Sequence, residues 1–145
     1  MLLVYASRTG NIERFVRKLG ALPALRLYSG EETVQEPCLL LTYTTGLGQV
    51  PAEVQQFASR NAHWIQAVAA SGNRNWGDSY GRAADVLAQQ LQVPVVQKFE
   101  LSGRPGDVVR FLEVLEGVKG LERSGHGLSG TEQSGDAEKR RVLSD

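Results

Sequence analysis

A short loop near the N-terminus combines the residue types that bind a phosphate group. Residues 7–11 read SRTGN and supply two hydroxyls, a glycine and an asparagine directly before a predicted helix. The first N–H groups of a helix have no partner within it, and the helix dipole favours an anion at that end. Glycine also lets a backbone approach a ligand closely. The loop therefore predicts a phosphate site, although an ordinary turn with a helix cap uses the same residues.

Two further loops have compositions suited to a flat heterocycle. Residues 44–51 read TTGLGQVP, and the two glycines would let backbone amides reach a ligand. Residues 71–78 read SGNRNWGD, and Trp76 could stack on an aromatic ring. Each loop also has a plainer interpretation, a flexible connection for the first and a half-buried surface tryptophan for the second. Neither the Walker A pattern nor the dinucleotide glycine fingerprint occurs in these loops.

Strand and helix patterns alternate along the chain, and the predicted elements must position these loops. Short apolar runs predict strands at residues 2–6, 24–28, 38–43, 65–70 and 95–99. Apolar residues at helical spacing predict four intervening or following helices, with stripes at Ile12, Phe15, Val16 and Leu19; Val54, Phe57 and Ala58; Tyr80, Ala83, Ala84, Leu87 and Leu91; and Val108, Phe111, Leu112 and Leu115. Asn11 is expected to cap the first helix, Gly20 to end it, and Pro51 to open the second.

This alternation predicts an α/β fold with a parallel sheet covered by helices on both faces. For five strands the expected order is 2-1-3-4-5, the flavodoxin-like doubly wound sheet. Such sheets bind ligands at the carboxyl ends of the strands, beside the point where the strand order reverses. The three unusual loops follow predicted strands 1, 3 and 4, so we expect them to meet there.

The amino-acid composition indicates the broad class of protein. The 145 residues carry 16 basic and 16 acidic side chains, with 41% hydrophobic and 22% charged residues, as in ordinary globular proteins. Zero net charge argues against nucleic acid or an anionic membrane as the main partner. The single cysteine, Cys38, excludes an internal disulfide and is expected to be a core thiol. With no signal-peptide or membrane-span pattern, we expect a cytoplasmic location.

The chain is expected to divide at residue 119. Residues 120–145 contain five hydrophobic residues and five glycines, too little apolar surface to offset the entropy of ordering. They are predicted to form a flexible tail of net charge −1, after a domain over residues 1–119 with net charge +1. The basic run at residues 139–141 could serve as a docking patch, but a solvated tail end is the strongly favoured interpretation.

At this point the sequence resembles a known family. The loop at residues 7–11 is similar to the phosphate loop of flavodoxins. Residues 41–45 (LTYTT), 48–51 (GQVP), 69–78 (AASGNRNWGD) and 98–103 (KFELSG) resemble NrdI, the small flavodoxin-like protein associated with class Ib ribonucleotide reductase. The resemblance covers about residues 2–118 and leaves the predicted tail outside.

The resemblance implies a bound FMN. It implies that the reduced flavin reacts with O2, and that superoxide passes to the small subunit of the class Ib reductase to assemble its dimanganese-tyrosyl radical cofactor. A separate partner would reduce the flavin, and no side chain need act as nucleophile or acid. By position, the phosphate would be held by Ser7, Arg8, Thr9, Gly10 and Asn11. The isoalloxazine ring would be bordered by Thr44, Thr45, Gly46, Leu47 and Gly48. Its other wall would be formed by Asn73, Trp76, Gly77 and Asp78.

The charges of these loops suggest how the flavin would be tuned. The three loops contain two basic residues, Arg8 and Arg74, and one acidic residue, Asp78. Positive charge near the flavin favours its anionic reduced state. We therefore expect full reduction to be easier than in a strongly acidic flavodoxin. Residues 46–48 could also turn a peptide carbonyl toward a protonated flavin nitrogen, because glycine makes such a turn inexpensive.

Two other functions stay open from sequence. A general electron-carrier flavodoxin would use the same loops. A non-redox signalling domain on the same fold, such as a response regulator, would need acidic Mg²⁺ ligands after strand 1, where this chain has Ala6, Ser7 and Arg8. His63 and His126 have no neighbouring metal-ligand residues, so they are expected to be surface or capping residues.

Overall fold

The computed structural model describes residues 1–45 and 48–124. Five strands form one parallel sheet, and their bounds are β1 (Leu2–Tyr5), β2 (Ala24–Arg26), β3 (Cys38–Tyr43), β4 (Ile65–Gly72) and β5 (Val95–Glu100). Four α-helices follow in chain order as α1 (Asn11–Lys18), α2 (Ala52–Asn61), α3 (Arg82–Leu91) and α4 (Pro105–Ser124). The strand order is β2-β1-β3-β4-β5, with every pairing parallel, which confirms the predicted fold.

Both faces of the sheet are covered because successive side chains of a strand point to opposite sides. In β3, Leu40 packs on one face, and Leu39 and Leu41 pack on the other. The first face is covered by α2 and α3, whose inner residues are Val54, Phe57, Ala84 and Leu87. The second face is covered by α1 and α4, whose inner residues are Ile12, Phe15, Val16 and Phe111. Burial on both faces explains the continuous apolar run of β3.

Several local boundaries differ from the sequence predictions. Gly10 (φ 91°), not Asn11, is the N-cap of α1, because a left-handed backbone enters the helix there and glycine adopts it freely. Tyr80 precedes α3 instead of starting its stripe, since Gly81 (φ 63°) breaks the chain direction between them. Residues Arg74–Ser79 form a 3₁₀ segment where only a loop was expected. All five strands begin at the predicted residue, and their last residues differ from the predictions by up to two positions.

The last helix reaches beyond the expected domain boundary. α4 ends at Ser124, so the first residues of the segment predicted as a tail are helical. Residues 125–145 lie outside the described residues, and the flexible tail stays a prediction. No helix in the described parts of the chain has the length and apolar content needed to span a bilayer.

Cys38 is fully buried at the start of β3, as expected for a core thiol. Burial raises the pKa of this thiol from its ordinary value of 9.0 to about 12, so the reactive thiolate is disfavoured at neutral pH. The observed burial supports the structural interpretation of this residue.

An aromatic cluster holds α1 and α4 against β5. The rings of Phe15 and Phe99 stack with centroids 3.9 Å apart, and Phe111 meets Phe15 edge-on at 5.3 Å. Gly103 (φ 76°) lies against this cluster, where an added Cβ would come within 2.6 Å of Phe15 Cδ1. The cluster therefore leaves no room for a side chain at residue 103.

We expect Gly103→Ala to destabilise the protein by about 2–5 kcal/mol, because a left-handed alanine costs roughly 1–2 kcal/mol and overpacking adds roughly 1–3 kcal/mol. Gly20→Ala is the matched control, since Gly20 also has a positive φ (89°) but nothing lies within 4 Å of its added Cβ. Chemical denaturation should therefore show a clearly smaller loss for Gly20→Ala. Equal losses in the two variants would contradict the role of the aromatic cluster.

Candidate functional site

A cavity opens at the carboxyl ends of β1, β3 and β4, where the three unusual loops meet. Its volume is about 420 Å³, within the range of small-molecule sites. It lies beside the point where the strand order reverses, because β1 pairs with both β2 and β3. The lining residues are Arg8, Thr9, Asn11, Ile12, Tyr43, Thr44, Thr45, Ser71, Gly72, Asn73, Trp76 and Leu101.

The loop after β1 directs the start of α1 toward this cavity. Arg14 N–H donates to the Gly10 carbonyl at 2.9 Å, so the N–H groups of Asn11 and Ile12 precede the ladder of helical hydrogen bonds. Ser7 Oγ accepts the N–H of Glu13 at 3.1 Å and thereby caps the first turn. This hydroxyl was predicted to hold a phosphate, whereas in the structure it caps the helix and Ser7 is not among the lining residues.

A network behind the loop fixes its position. Arg26, at the end of β2, donates from Nη2 to the Ser7 carbonyl at 3.1 Å and from Nη1 to Glu13 Oε1 at 3.0 Å. Tyr5 donates its hydroxyl to the same Glu13 oxygen at 2.9 Å. Burial, followed by this hydrogen bond to a carboxylate, raises the pKa of Tyr5 to about 12 and keeps the phenol a neutral donor. The network ties β1, β2 and α1 together directly under residues 7–11.

The loop after β3 contributes a buried hydroxyl. Thr44 is 6% exposed, and its Oγ1 has no hydrogen-bond partner within the described ranges 1–45 and 48–124. Such a group costs free energy unless something satisfies it. Thr45 closes the loop through two backbone hydrogen bonds with Gln49, of 3.0 and 2.8 Å. Gly46 and Leu47 lie outside the described residues, so their predicted contacts with a ring stay predictions.

Gly48 has a structural reason to be glycine. Its φ is 100°, and an added Cβ would lie 2.7 Å from Cδ of Arg82. Gly48 does not itself line the cavity. The neighbouring Arg82 brings a cation close to this loop that the sequence analysis did not place there.

The loop after β4 presents Trp76 at the cavity. Asn73 Oδ1 accepts the Asn75 N–H at 2.9 Å and its carbonyl accepts the Trp76 N–H at 3.0 Å, so Asn73 opens the 3₁₀ segment that carries the indole. Trp76 is 42% exposed although it is a large apolar residue. Gly77 (φ 58°, ψ −123°) turns the chain just after it and does not line the cavity. Trp76 is therefore accessible to a ligand in the cavity.

The structure thus brings together seven of the predicted site residues around one cavity, namely Arg8, Thr9, Asn11, Thr44, Thr45, Asn73 and Trp76. Four others, Ser7, Gly10, Gly48 and Gly77, shape the loops without lining it. The Asp78 side chain lies outside the described part of the structure. These positions show which residues surround the cavity.

Five lining residues were not among the predicted site residues, although Ser71 and Gly72 belong to the third loop selected from sequence. Ile12 and Tyr43 belong to regular elements that were interpreted as core, and Ser71 and Gly72 lie at the end of β4, which runs two residues longer than predicted. Leu101 comes from the turn after β5, a loop that the sequence analysis did not select. The predicted strand order could have indicated Leu101, because β5 lies next to β4 and the turn after β5 therefore lies beside the third loop.

The charges around the cavity are more balanced than the three loops indicated. Glu100, at the end of β5, accepts the Arg74 N–H through Oε2 at 3.3 Å and adds an anion beside the third loop. Arg82 adds a cation beside the second loop. The charges of Arg82 and Glu100 offset each other.

Tyr43 contributes a neutral phenol to the lining. It donates to Glu53 Oε2 at 2.6 Å. Burial and this hydrogen bond raise the pKa of Tyr43 to about 12. Among the residues that the structure describes, no group of three or more histidine, cysteine, aspartate or glutamate side chains could hold a metal ion.

Comparison with known folds shows the same architecture. A short-chain flavodoxin associated with a bacterial microcompartment superimposes with a TM-score of 0.60 at 19% identity, over 85% of this chain and 96% of that one. A flavodoxin of Streptococcus pneumoniae TIGR4 superimposes with a TM-score of 0.59 at 21% identity, over 82% of this chain and 97% of that one. At these identities the likeness shows the fold alone.

Comparison at the sequence level is more specific. Protein NrdI of Bacillus licheniformis is 47% identical over 116 residues, which cover 80% of this chain and 88% of that protein. Protein NrdI of Macrococcus caseolyticus is 45% identical over 111 residues, covering 77% and 85% respectively. The family described as NrdI flavodoxin-like matches residues 3–113. The chain therefore belongs to the NrdI family of flavodoxin-like proteins.

Proposed function

We propose that this chain is an FMN-dependent redox protein serving the class Ib ribonucleotide reductase. It supplies an O2-derived oxidant, superoxide, or electrons to assemble or maintain the dimanganese-tyrosyl radical cofactor of the small subunit. The observation that carries the proposal is a cavity lined by the first turn of α1, by Trp76 and by Thr44, whose buried hydroxyl has no hydrogen-bond partner among the described residues. Membership of the NrdI family and the flavodoxin-like fold support a flavin as its ligand.

The phosphate end of FMN fits the loop after β1. Asn11 and Ile12 offer backbone N–H groups at the positive end of the α1 dipole, and Thr9 adds a hydroxyl at the cavity wall. Arg8 is exposed beside them and contributes a positive charge. Ser7 and Gly10 act indirectly, the first by capping α1 and the second by giving the loop its left-handed turn.

The ring end of FMN fits the opposite part of the cavity. Trp76 offers an exposed aromatic face, and Leu101 adds apolar surface at the same rim. Thr44 Oγ1 is a buried hydroxyl that a polar edge of the ring system would satisfy. Thr45, Gly46, Leu47 and Gly48 are proposed to border the ring, and Asn73, Gly77 and Asp78 to support the wall around Trp76.

FMN supplies the electron transfer when it is bound, and the protein supplies binding and electrostatics. Arg8 lines the cavity, Arg82 lies beside the second loop, and Arg74 and Glu100 lie together at the third loop. Cations near the ring lower the free energy of a negatively charged reduced state relative to the neutral oxidised one. Exposure of Arg8 and Arg74 to solvent keeps this effect modest. The residues of the site thus favour reduction without taking part in bond making.

Replacing Arg26 should weaken FMN binding, although Arg26 supports the phosphate loop from behind and does not line the cavity. Arg26→Met removes the hydrogen bond to the Ser7 carbonyl and one partner of Glu13. Loss of such a bond costs roughly 1–2 kcal/mol, so we expect FMN affinity to fall about 5- to 30-fold. Riboflavin lacks the phosphate, and its affinity should change less than threefold. Fluorescence titration of the apoprotein with each flavin measures the two affinities.

Arg17→Met is the matched control for Arg26→Met. Arg17 also pairs with Glu13, at 3.4 Å, but its side chain is 74% exposed against 30% for Arg26. An exposed pair contributes little, so FMN affinity should stay near that of the unchanged protein. Equal losses for FMN and riboflavin in Arg26→Met would contradict a phosphate-loop role for this network.

Radical assembly tests the proposed function directly. Reduced, FMN-loaded protein is mixed with O2 and manganese-loaded small subunit of a class Ib reductase, and the tyrosyl radical is measured by electron paramagnetic resonance. We expect radical with the loaded protein and far less with free reduced FMN or with a reduced acidic flavodoxin. A general electron carrier, the competing function, would reduce a redox acceptor protein and yield no more radical than the acidic flavodoxin.

A further inference from the structure

Leu101 has a backbone conformation that its residue type disfavours. Its φ is 55°, and within the described residues the only other non-glycine residue with a positive φ is Gln92, at 58°. A side chain with a Cβ is strained in this region, and a bulky branched side chain is rarely found there. Strained residues of this kind persist where the surrounding structure holds them, often at functional sites.

The local turn explains the backbone angle but not the leucine. Gly103 N–H donates to the Glu100 carbonyl at 2.9 Å, which places Leu101 second in a four-residue turn. A positive φ at that position belongs to the mirror-image turns, in which glycine, asparagine and aspartate dominate. A glycine would therefore build the same turn with less strain.

Hydrogen bonds on both sides lock Leu101 in place. Its N–H donates to the Gly72 carbonyl at 3.0 Å, and its carbonyl accepts the Ser71 hydroxyl at 2.6 Å. Both partners lie at the end of β4 and line the cavity. The contacts join the turn after β5 to the wall that leads into the Trp76 segment.

The side chain gains little within the protein itself. Leu101 is 49% exposed, so core burial does not offset the strain of its backbone. It lines the same cavity as Trp76, which is 42% exposed. Two large apolar side chains at the rim of one cavity are suited to the apolar surface of a flat ring system.

We infer that Leu101 is a cofactor-binding residue, whose side chain contacts the ring system of the bound flavin and completes the apolar rim begun by Trp76. This inference rests on the proposed function, since it takes the ligand of the cavity to be a flavin. Ligand binding removes the exposed leucine surface from water, and that gain offsets the strain of the turn. Leu101 acts on the ring and not on the phosphate, because it lies in the turn after β5, and β4 and β3 separate that strand from β1 and its loop.

Three substitutions separate the side chain from the turn. Leu101→Gly and Leu101→Asn suit a positive φ but remove the apolar group, whereas Leu101→Met keeps apolar bulk. We expect the Kd for FMN to rise about tenfold in the glycine and asparagine variants and to stay within about threefold in the methionine variant. Riboflavin should lose affinity by the same factor as FMN, because the lost contact is to the ring.

Thermal melting of the apoproteins gives the second measurement. Because strain is relieved, the Tm of Leu101→Gly and Leu101→Asn should equal or exceed that of the unchanged chain. Gln92→Gly is the matched control, since Gln92 is an exposed residue with φ 58° at the end of α3 and does not line the cavity. It should also keep or raise the Tm, with an unchanged Kd for both flavins.

The outcomes distinguish this inference from the proposed function. Unaltered FMN and riboflavin binding by Leu101→Gly and Leu101→Asn would overturn the role of Leu101 alone. A marked fall in their Tm would also overturn it, because the side chain would then serve the fold. If the unchanged chain bound no flavin, the proposed function and this inference would both fail.

Discussion

The parallel pairing of β1 with β3 determines where a ligand can bind. The register joins Leu2 to Cys38 and Tyr5 to Leu41, and Ala6 N–H extends it to the Leu41 carbonyl at 3.1 Å. β1 therefore ends opposite Leu41, two residues before β3 ends at Tyr43, and α1 and α2 pack on opposite faces of the sheet. The divergence opens a crevice that the loops must line, and it aims the start of α1 into that crevice.

Features of the fold that depend on a regular spacing of apolar residues were predictable from the sequence. The apolar run of β3 and the helical stripe containing Phe15 and Val16 define the core, and strand alternation fixed the sheet order. The predicted loops met at one cavity for the same reason, since parallel strands place all their carboxyl ends at one edge. The family resemblance pointed to the same fold and was confirmed by the match over residues 3–113.

What sequence could not supply depends on contacts between distant residues. Arg26 supports the loop at Ser7 from another strand, nineteen positions along the chain. Leu101 reaches the cavity because β5 pairs with β4, and hydrogen bonds to Ser71 and Gly72 hold it there. Arg26 belongs to no local motif, and the 98–103 segment that contains Leu101 resembles the family without indicating a position at the cavity. Asn11 was misassigned as the cap because a glycine in the left-handed conformation took that position.

The account as a whole requires one ligand to satisfy a helix start, a buried threonine hydroxyl and an exposed tryptophan in the same cavity. Titration of the apoprotein with FMN and with riboflavin, followed by flavin fluorescence and by Trp fluorescence, tests this requirement most directly. The account predicts one FMN per chain, with riboflavin at least about tenfold weaker because it makes no phosphate contacts. Equal affinity for the two flavins, or no binding of either, would contradict it.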